Sequence, residues 1–196
     1  MFDIDVSEDV YEFARCLVAK HNLGHRGRVD GGQEQQLTGL IGQTVIHDLF
    51  SVQRPRFGAS ADSGVDFVFA GLRLDVKTTG RNVRPQPHYV SSLFQVQARS
   101  FSQVLLFCSL NKPQRVLTVC GWISKDEFLK SATLYPRGTQ RERVDGTSFV
   151  TKASQYEIEN RHLHSPASGA ELKAALKREG ASRRLAGKTP QPLQAR

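Results

Sequence analysis

The spacing of apolar residues along the first 50 positions predicts two amphipathic helices. Over residues 7–22 apolar side chains recur three and four positions apart, and Gly24 is a natural helix stop. A second helix is expected to begin near Asp30, which forms a capping-box pattern with Gln33, and to continue to Phe50. The N-terminal part of the chain is therefore expected to be helical.

Short apolar runs in the middle of the chain predict two β-hairpins. The first pairs residues 65–70 with 72–77 around an Ala-Gly turn, and the second pairs 103–110 with 115–123. A short helix is expected over 91–100. Ser124 is a suitable N-cap for a further helix over 125–132. Two edge strands are expected at 148–150 and 156–158.

This order of elements predicts an α/β or α+β domain with a central mixed β-sheet flanked by helices. We expect the domain, with its N-terminal helix, to occupy residues 1–164. Beyond that point the chain becomes rich in Ala, Lys, Arg, Gly and Pro. Residues 165–196 are therefore expected to form a basic, partly disordered C-terminal tail, in which 170–178 could be helical.

The charge of the chain favours a polyanionic partner. Its 196 residues carry a net charge of +8, and nucleic acid is the commonest polyanion. Much of this charge lies in 165–196, which holds seven basic and two acidic residues. No apolar run approaches the roughly 20 residues that span a bilayer, and no signal-peptide pattern opens the chain. We expect a cytoplasmic protein without membrane contact, in which Cys108 and Cys120 are buried, reduced thiols.

Two carboxylates and a lysine are predicted to meet on the first hairpin. Asp75 and Lys77 are two positions apart on a strand, so both face one side while Val76 faces the other. Asp66 lies across the turn, near Asp75. Two close carboxylates repel each other unless a cation lies between them, and Mg²⁺ or Mn²⁺ suits oxygen ligands best. The Val76 carbonyl is expected as a further ligand, and Lys77 as a cation that orients water or offsets developing charge.

These residues resemble the PD-(D/E)XK nuclease superfamily, which has the restriction-endonuclease-like fold. The resemblance spans roughly residues 30–163. The matching segments are Gly39-Leu-Ile-Gly42-Gln43, Val65-Asp66, Asp75-x-Lys77, Cys120-Gly-Trp-Ile-Ser-Lys-Asp-Glu-Phe128 and Tyr156-Glu-Ile158. The resemblance implies a restriction-endonuclease-like core and a metal-dependent phosphodiesterase that usually acts on DNA. It also implies that Asp66 and Asp75 are metal ligands and that Lys77 is the catalytic cation.

The second helix departs from the pattern of this superfamily. Many members carry a glutamate where this chain has Gln43, and an uncharged amide is expected to weaken metal affinity. Glu34 is the alternative, but it lies about 180° round the helix from Gln43, and we favour Gln43 on the active-site side. Gln97 and Thr78 are further candidates, for a contact near the metal or with a phosphate.

Four loop arginines are candidate phosphate contacts: Arg54, Arg56, Arg81 and Arg84. Solvated loop charges need no function, and both interpretations stay open. The basic tail can equally bind DNA non-specifically or act as a solubilising segment.

The sequence thus predicts a Mg²⁺-dependent DNA nuclease, with internal cutting preferred. Two alternatives remain open. One is a DNA-binding or assembly module that keeps the nuclease fold without its chemistry, which the Gln43 substitution motivates. The other is a Holliday-junction resolvase, which would require a symmetric homodimer.

Overall fold

The computed structural model describes residues 1–21, 32–56, 64–142 and 146–187. Two short 3₁₀ turns, Gln95–Arg99 and Asn160–His162, accompany the regular elements. The helices and strands within the described residues are β1 (Phe2–Asp5), α1 (Glu8–His21), α2 (Gln33–Phe50), β2 (Phe67–Phe69), β3 (Leu72–Arg81), β4 (Val90–Phe94), β5 (Val104–Asn111), β6 (Val116–Ser124), α3 (Lys125–Ser131), β7 (Thr133–Tyr135), β8 (Gln140–Glu142), β9 (Ser148–Val150), β10 (Gln155–Glu159) and α4 (Gly169–Leu185).

A five-stranded mixed sheet forms the centre of the molecule. Its strand order is β1-β6-β5-β3-β2. Strands β3 and β5 run parallel, and the other neighbours are antiparallel. A three-stranded sheet, β4-β10-β7, and the β8-β9 hairpin complete the β-structure of the described residues. The predicted α+β class with a mixed sheet and flanking helices is confirmed.

Apolar side chains cover both faces of the central sheet. Strand β5 is buried along its whole length, and its residues alternate between two clusters. Val104 and Leu106 belong to the larger cluster, with apolar residues of α1, α2 and α4. Leu105 and Phe107 belong to the smaller one, where Phe128 of α3 packs against Phe107. Strand β3 is thus held in a sheet with a packed layer on each side.

Most predicted elements are confirmed with small shifts in their ends. Helix α1 begins and ends one residue inside the expected range, and α2 ends at Phe50 as expected. The N-cap position of α2 is Gly32, whereas the predicted capping residue Asp30 lies outside the described residues. Both hairpins form. The Ser124 hydroxyl accepts a hydrogen bond from the Glu127 amide and caps α3 as predicted.

The helix expected over 91–100 is wrong. Strand β4 occupies residues 91–94 of this stretch and pairs antiparallel with β10, and a 3₁₀ turn occupies Gln95–Arg99. Alternating burial explains the difference, because Ser91 and Leu93 face inward while Ser92 and Phe94 are exposed. Strand β10 therefore lies between two neighbours instead of at an edge.

Three further strands were not anticipated from the pattern. The acidic N-terminus forms β1, whose backbone pairs with β6. The polar stretch after residue 132 contributes β7 and β8. Strand β3 also continues to Arg81, into a segment expected to be loop, because its last residues pair with β5 as far as Asn111. Tertiary pairing thus overrides weak local strand signals.

Helix α4 extends well beyond the helix expected over 170–178. The Ser168 hydroxyl caps its first turn, and Leu172 and Leu176 are fully buried in the larger cluster. Gly180 lies against the β2-β3 turn, where an added methyl group would be 2.4 Å from the Ala70 carbonyl oxygen. Half of the segment expected as a tail therefore packs on the core. Residues 188–196 lie outside the described ranges.

Cys108 and Cys120 are buried as predicted. All three cysteines are free, and Cys16 is exposed. Burial raises the pKa of Cys120 to about 11 and also raises that of Cys108. Among the described helices, none combines the length and apolarity needed to cross a membrane.

Candidate active site on the first hairpin

Gly42 allows α2 to lie directly on β3. A methyl group at this position would be only 1.9 Å from the Thr78 hydroxyl oxygen, which is buried in the contact. The two backbones therefore approach more closely than any side chain would permit. This approach places the next residue of the helix, Gln43, beside the start of strand β2.

Asp66 is held by three hydrogen bonds at the point where β2 begins. Its backbone N–H donates to the Leu74 carbonyl at 2.8 Å. One carboxylate oxygen accepts the Val76 amide at 2.6 Å, and the other accepts the Gln43 side-chain amide at 2.8 Å. The Asp66 side chain thus satisfies the Val76 amide, which lies beyond Leu74, the last β3 residue that pairs with β2. Asp66 is fixed beside Val76, next in the chain to Asp75.

Asp75 and Lys77 form an ion pair on one face of β3. The Lys77 Nζ atom lies 2.8 Å from an Asp75 carboxylate oxygen. Asp75 is only 2% exposed, whereas the Lys77 side chain is 22% exposed. Leu74 and Val76 are buried in the larger cluster on the other face. The strand phase predicted from the sequence is therefore confirmed, and Lys77 is the member of the pair that reaches the surface.

A second lysine, Lys125, acts on Asp75 from helix α3. Its ammonium group is largely buried and donates hydrogen bonds to the carbonyl and hydroxyl oxygens of Ser100. Burial lowers the pKa of Lys125, and the negative charge of Asp75 acts in the opposite direction. Sequence reasoning missed this residue. Its one signal is a basic side chain in the first turn of a helix, where the helix dipole favours acids.

The oxygen donors around Asp66 and Asp75 fit a hard dication. No cluster of three or more His, Cys, Asp or Glu side chains suited to a metal occurs in the described part of the chain. The predicted set, however, is two carboxylates and one carbonyl, and Mg²⁺ usually keeps several water ligands. The Asp66 oxygens accept hydrogen bonds from Gln43 and Val76, and a carboxylate oxygen carries two lone pairs. The Val76 carbonyl points to the same side of the strand as its N–H, towards Asp66.

A groove of about 560 Å³ runs beside this site, and the Lys77 side chain lines it. The groove brings together Val76 and Thr78 of β3 with Glu34 at the start of α2 and Gln97 of the 3₁₀ turn. Neither Asp66 nor Gln43 lines its wall. The predicted accessory residues thus lie around one groove, whereas neither Asp66 nor Asp75 lines it.

Glu34 is engaged at the mouth of the groove. Its carboxylate lies 2.5 Å from the Lys112 ammonium group. The hydrogen bond from Lys112 lowers the pKa of Glu34. The opposite orientation of Glu34 and Gln43 expected from helix geometry matches these different contacts, because Gln43 binds Asp66 instead.

The four candidate arginines have different surroundings. Arg54 is bound to both Asp48 and Asp9, which raise its pKa, and Arg84 is bound to Asp3 at 2.9 Å. Arg56 is exposed.

Arg81 differs from the other candidate arginines. It is partly buried over the Tyr89 ring at 4.7 Å and donates to the Val90 carbonyl at 3.2 Å. Burial lowers the pKa of Arg81. The structure therefore separates the four: two are occupied by carboxylates, one is exposed and one is partly buried.

Comparison with known proteins adds no identification. A scan against protein-family models found no match, and searches of curated proteins and of solved structures found none either.

Proposed function

We propose that this protein is a divalent-metal-dependent DNA nuclease that cuts phosphodiester bonds internally on a restriction-endonuclease-like core. The observation that carries the proposal is the Asp75–Lys77 pair, which shares one strand face beside the anchored Asp66. A metal ion held by carboxylates can activate water for phosphodiester hydrolysis, and a lysine that reaches the surface can offset the charge that develops on the phosphate.

Asp66, Asp75 and the Val76 carbonyl would hold Mg²⁺ or Mn²⁺. When bound, the ion supplies a Lewis acid for a phosphate oxygen and lowers the pKa of a water. Lys77 is held at the groove wall by Asp75 and donates a hydrogen bond to a non-bridging phosphate oxygen, offsetting the charge that develops there. The positive charge of Lys125, on helix α3, balances part of the negative charge of Asp75. Gln43 orients the Asp66 carboxylate.

DNA suits the groove and the overall charge. The net charge of +8 favours association with a polyanion, and Lys77 and Gln97 offer hydrogen-bond donors along the groove, whereas the Thr78 hydroxyl is buried against α2. Three free cysteines agree with a reducing compartment, and we place the activity in the cytoplasm.

A DNA-binding module without catalysis is the second candidate. Gln43 favours the module, because its uncharged amide donates to Asp66. A glutamate at this position would instead add a negative charge that attracts a metal ion. Calorimetric titration with Mg²⁺ and Mn²⁺ separates the two functions. No metal binding, together with intact DNA binding, supports the module.

Incubation with supercoiled plasmid tests the nuclease proposal. We expect nicked and then linear DNA in the presence of Mg²⁺ or Mn²⁺, and no product in EDTA. A parallel reaction with a four-way junction tests the resolvase alternative, for which junction cleavage must exceed cleavage of linear duplex. Light scattering tests the homodimer that such an activity requires.

A further inference from the structure

We propose that the substrate carries an unpaired strand, and that a second groove on β3 takes one of its unpaired nucleotides at Arg81. This inference rests on the proposed function and specifies its substrate class. The second groove has a volume of about 480 Å³. Its wall includes Arg81, Asn82, Tyr89 and Phe149.

The two grooves form one path along β3. Gly80 lines both of them, with Lys77 to one side and Arg81 to the other. The exposed residues of β4 also connect the two grooves. Ser92 and Phe94 line the first groove, and Val90 lines the second. A single strand lying along this path would pass Lys77 and then Arg81, about 13 Å further along β3 at the usual rise per residue.

Within the described ranges Arg81 has no carboxylate partner, whereas Arg84 and Arg141 each have one. Arg81 donates a hydrogen bond to the Val90 carbonyl, and its Nε–H is buried with no acceptor in the described part of the chain. Arg141 in the same groove is instead bound to Glu157 at 2.7 Å.

This difference points to an anionic ligand. A partly buried guanidinium without a counter-charge is costly, and phosphate matches its planar set of donors. Glu157 does not supply that counter-charge, because it is already bound by Arg141. Glu142, the other acid among the described lining residues, is exposed on strand β8. Arg81 is therefore the cation that a phosphate of the bound strand would satisfy.

Aromatic and apolar side chains supply the rest of a nucleotide site. The Tyr89 ring contacts Arg81 on one side and packs edge-on against His88, with centroids 4.9 Å apart. Phe149 lines the same groove, and Val83 at its wall is 53% exposed. Bases stack on such rings without sequence preference. A base inside a duplex is already stacked and cannot enter a groove of this size, so the nucleotide must be unpaired.

Fluorescence anisotropy in EDTA tests this inference independently of cleavage. The probes are one labelled oligonucleotide as a single strand, as a blunt duplex and as a fork. We expect the wild-type protein to bind the single strand and the fork roughly fivefold or more tightly than the duplex. Arg81→Gln is expected to remove this preference by weakening single-strand binding to a similar degree.

Two further variants control for folding and for charge. Asn82→Asp adds a negative charge at an exposed position of the second groove and is expected to weaken single-strand binding several-fold without disturbing the core. Arg137→Gln removes an exposed arginine outside both grooves and is expected to bind within about twofold of wild type. Circular dichroism melting confirms that each variant is folded.

Two results would overturn the inference. One is equal affinity of the wild-type protein for the single strand and the duplex. The other is single-strand binding by Arg81→Gln and Asn82→Asp that matches Arg137→Gln. Plasmid cutting with either result means that only this inference fails. Preferential single-strand binding without metal-dependent cutting means that the nuclease proposal fails and the groove remains a binding site.

Discussion

The Gln43 side-chain amide donates a hydrogen bond to the Asp66 carboxylate at 2.8 Å. The same carboxylate accepts the Val76 backbone amide at 2.6 Å, so helix α2 and strand β3 both hold it. A glutamine can make this contact without any counter-charge. A glutamate in its place would set two carboxylates against each other unless a cation lay between them.

Gln43→Glu therefore tests whether a cation binds between residue 43 and Asp66. In EDTA the variant should lose about 1–3 kcal/mol of unfolding free energy through repulsion with Asp66. Saturating Mg²⁺ should restore most of that loss, because binding to the native state stabilises it by mass action. Thermal melts with and without Mg²⁺ measure both effects. A variant that is destabilised equally in both conditions would show that no cation is held near Asp66.

Lys77→Met tests the buried ion pair. The variant removes the Lys77 charge from the buried Asp75 carboxylate, and we expect a cost of about 1–3 kcal/mol in urea unfolding. Lys112→Met is the matched control, because its partner Glu34 is largely exposed. The control should cost less than about 1 kcal/mol.

A double-mutant cycle completes this test. Asp75→Asn combined with Lys77→Met removes both charges, so the double variant should be less destabilised than the sum of the two single variants. Additive losses, or a Lys77→Met cost no larger than that of Lys112→Met, would mean that the pair contributes no coupling.

Two glycines of α2, three residues apart, should respond in opposite ways to alanine. Gly42→Ala is expected to destabilise the protein by about 1–3 kcal/mol, because the new methyl group overlaps the Thr78 side chain. Gly39→Ala meets nothing within 4 Å and should stabilise the helix by about 0.5–1 kcal/mol. Chemical denaturation of both variants measures the contrast. Equal effects would contradict the close approach of α2 to β3.

The pH dependence of stability should report on His47. This side chain is buried, its Nδ1 contacts the Gln53 carbonyl and its Nε2 has no partner among the described residues. Burial lowers the pKa of His47. The unfolded chain therefore binds a proton near the ordinary pKa of about 6.5 before the folded protein does. The stability that neutral His47 contributes is fully present above that pH. This stability is lost as the pH falls through about 6.5 towards the lower pKa of the folded state.

His47→Asn isolates this contribution. Asparagine can still donate to the Gln53 carbonyl but does not titrate in this range. Urea unfolding between pH 7.5 and 5.5 should show a smaller loss of stability for the variant than for the wild-type protein. Parallel losses in both proteins would exclude His47 as the source.

The site was predictable where strand phase decides the geometry. Alternation alone places Asp75 and Lys77 on one face and Val76 on the other, and the ion pair confirms this arrangement. Helix periodicity likewise separates Gln43 from Glu34, which contact different partners. The electrostatic effect of Lys125 on Asp75 was not predictable, because it depends on the packing of α3 against the sheet.

The sequence predicts the elements correctly where the local apolar pattern is strong. The prediction fails where strand pairing determines the secondary structure. Helices α1 and α2 and the two hairpins follow their apolar spacing. Strand β4 was expected as a helix because its sequence has no strong preference of its own, and its strand form depends on pairing with β10. The acidic residues of β1 and the polar residues of β8 are strands for the same reason.

DNA cleavage by matched variants tests the central claim most directly. Wild-type protein, Asp75→Asn and Arg137→Gln, purified in parallel, are incubated with supercoiled plasmid across a Mg²⁺ titration, and nicking rates are measured from gels. Our account predicts metal-dependent nicking by the wild-type protein and by Arg137→Gln, and a rate at least about 100-fold lower for Asp75→Asn. Equal nicking by Asp75→Asn, or nicking that persists in EDTA, would contradict it.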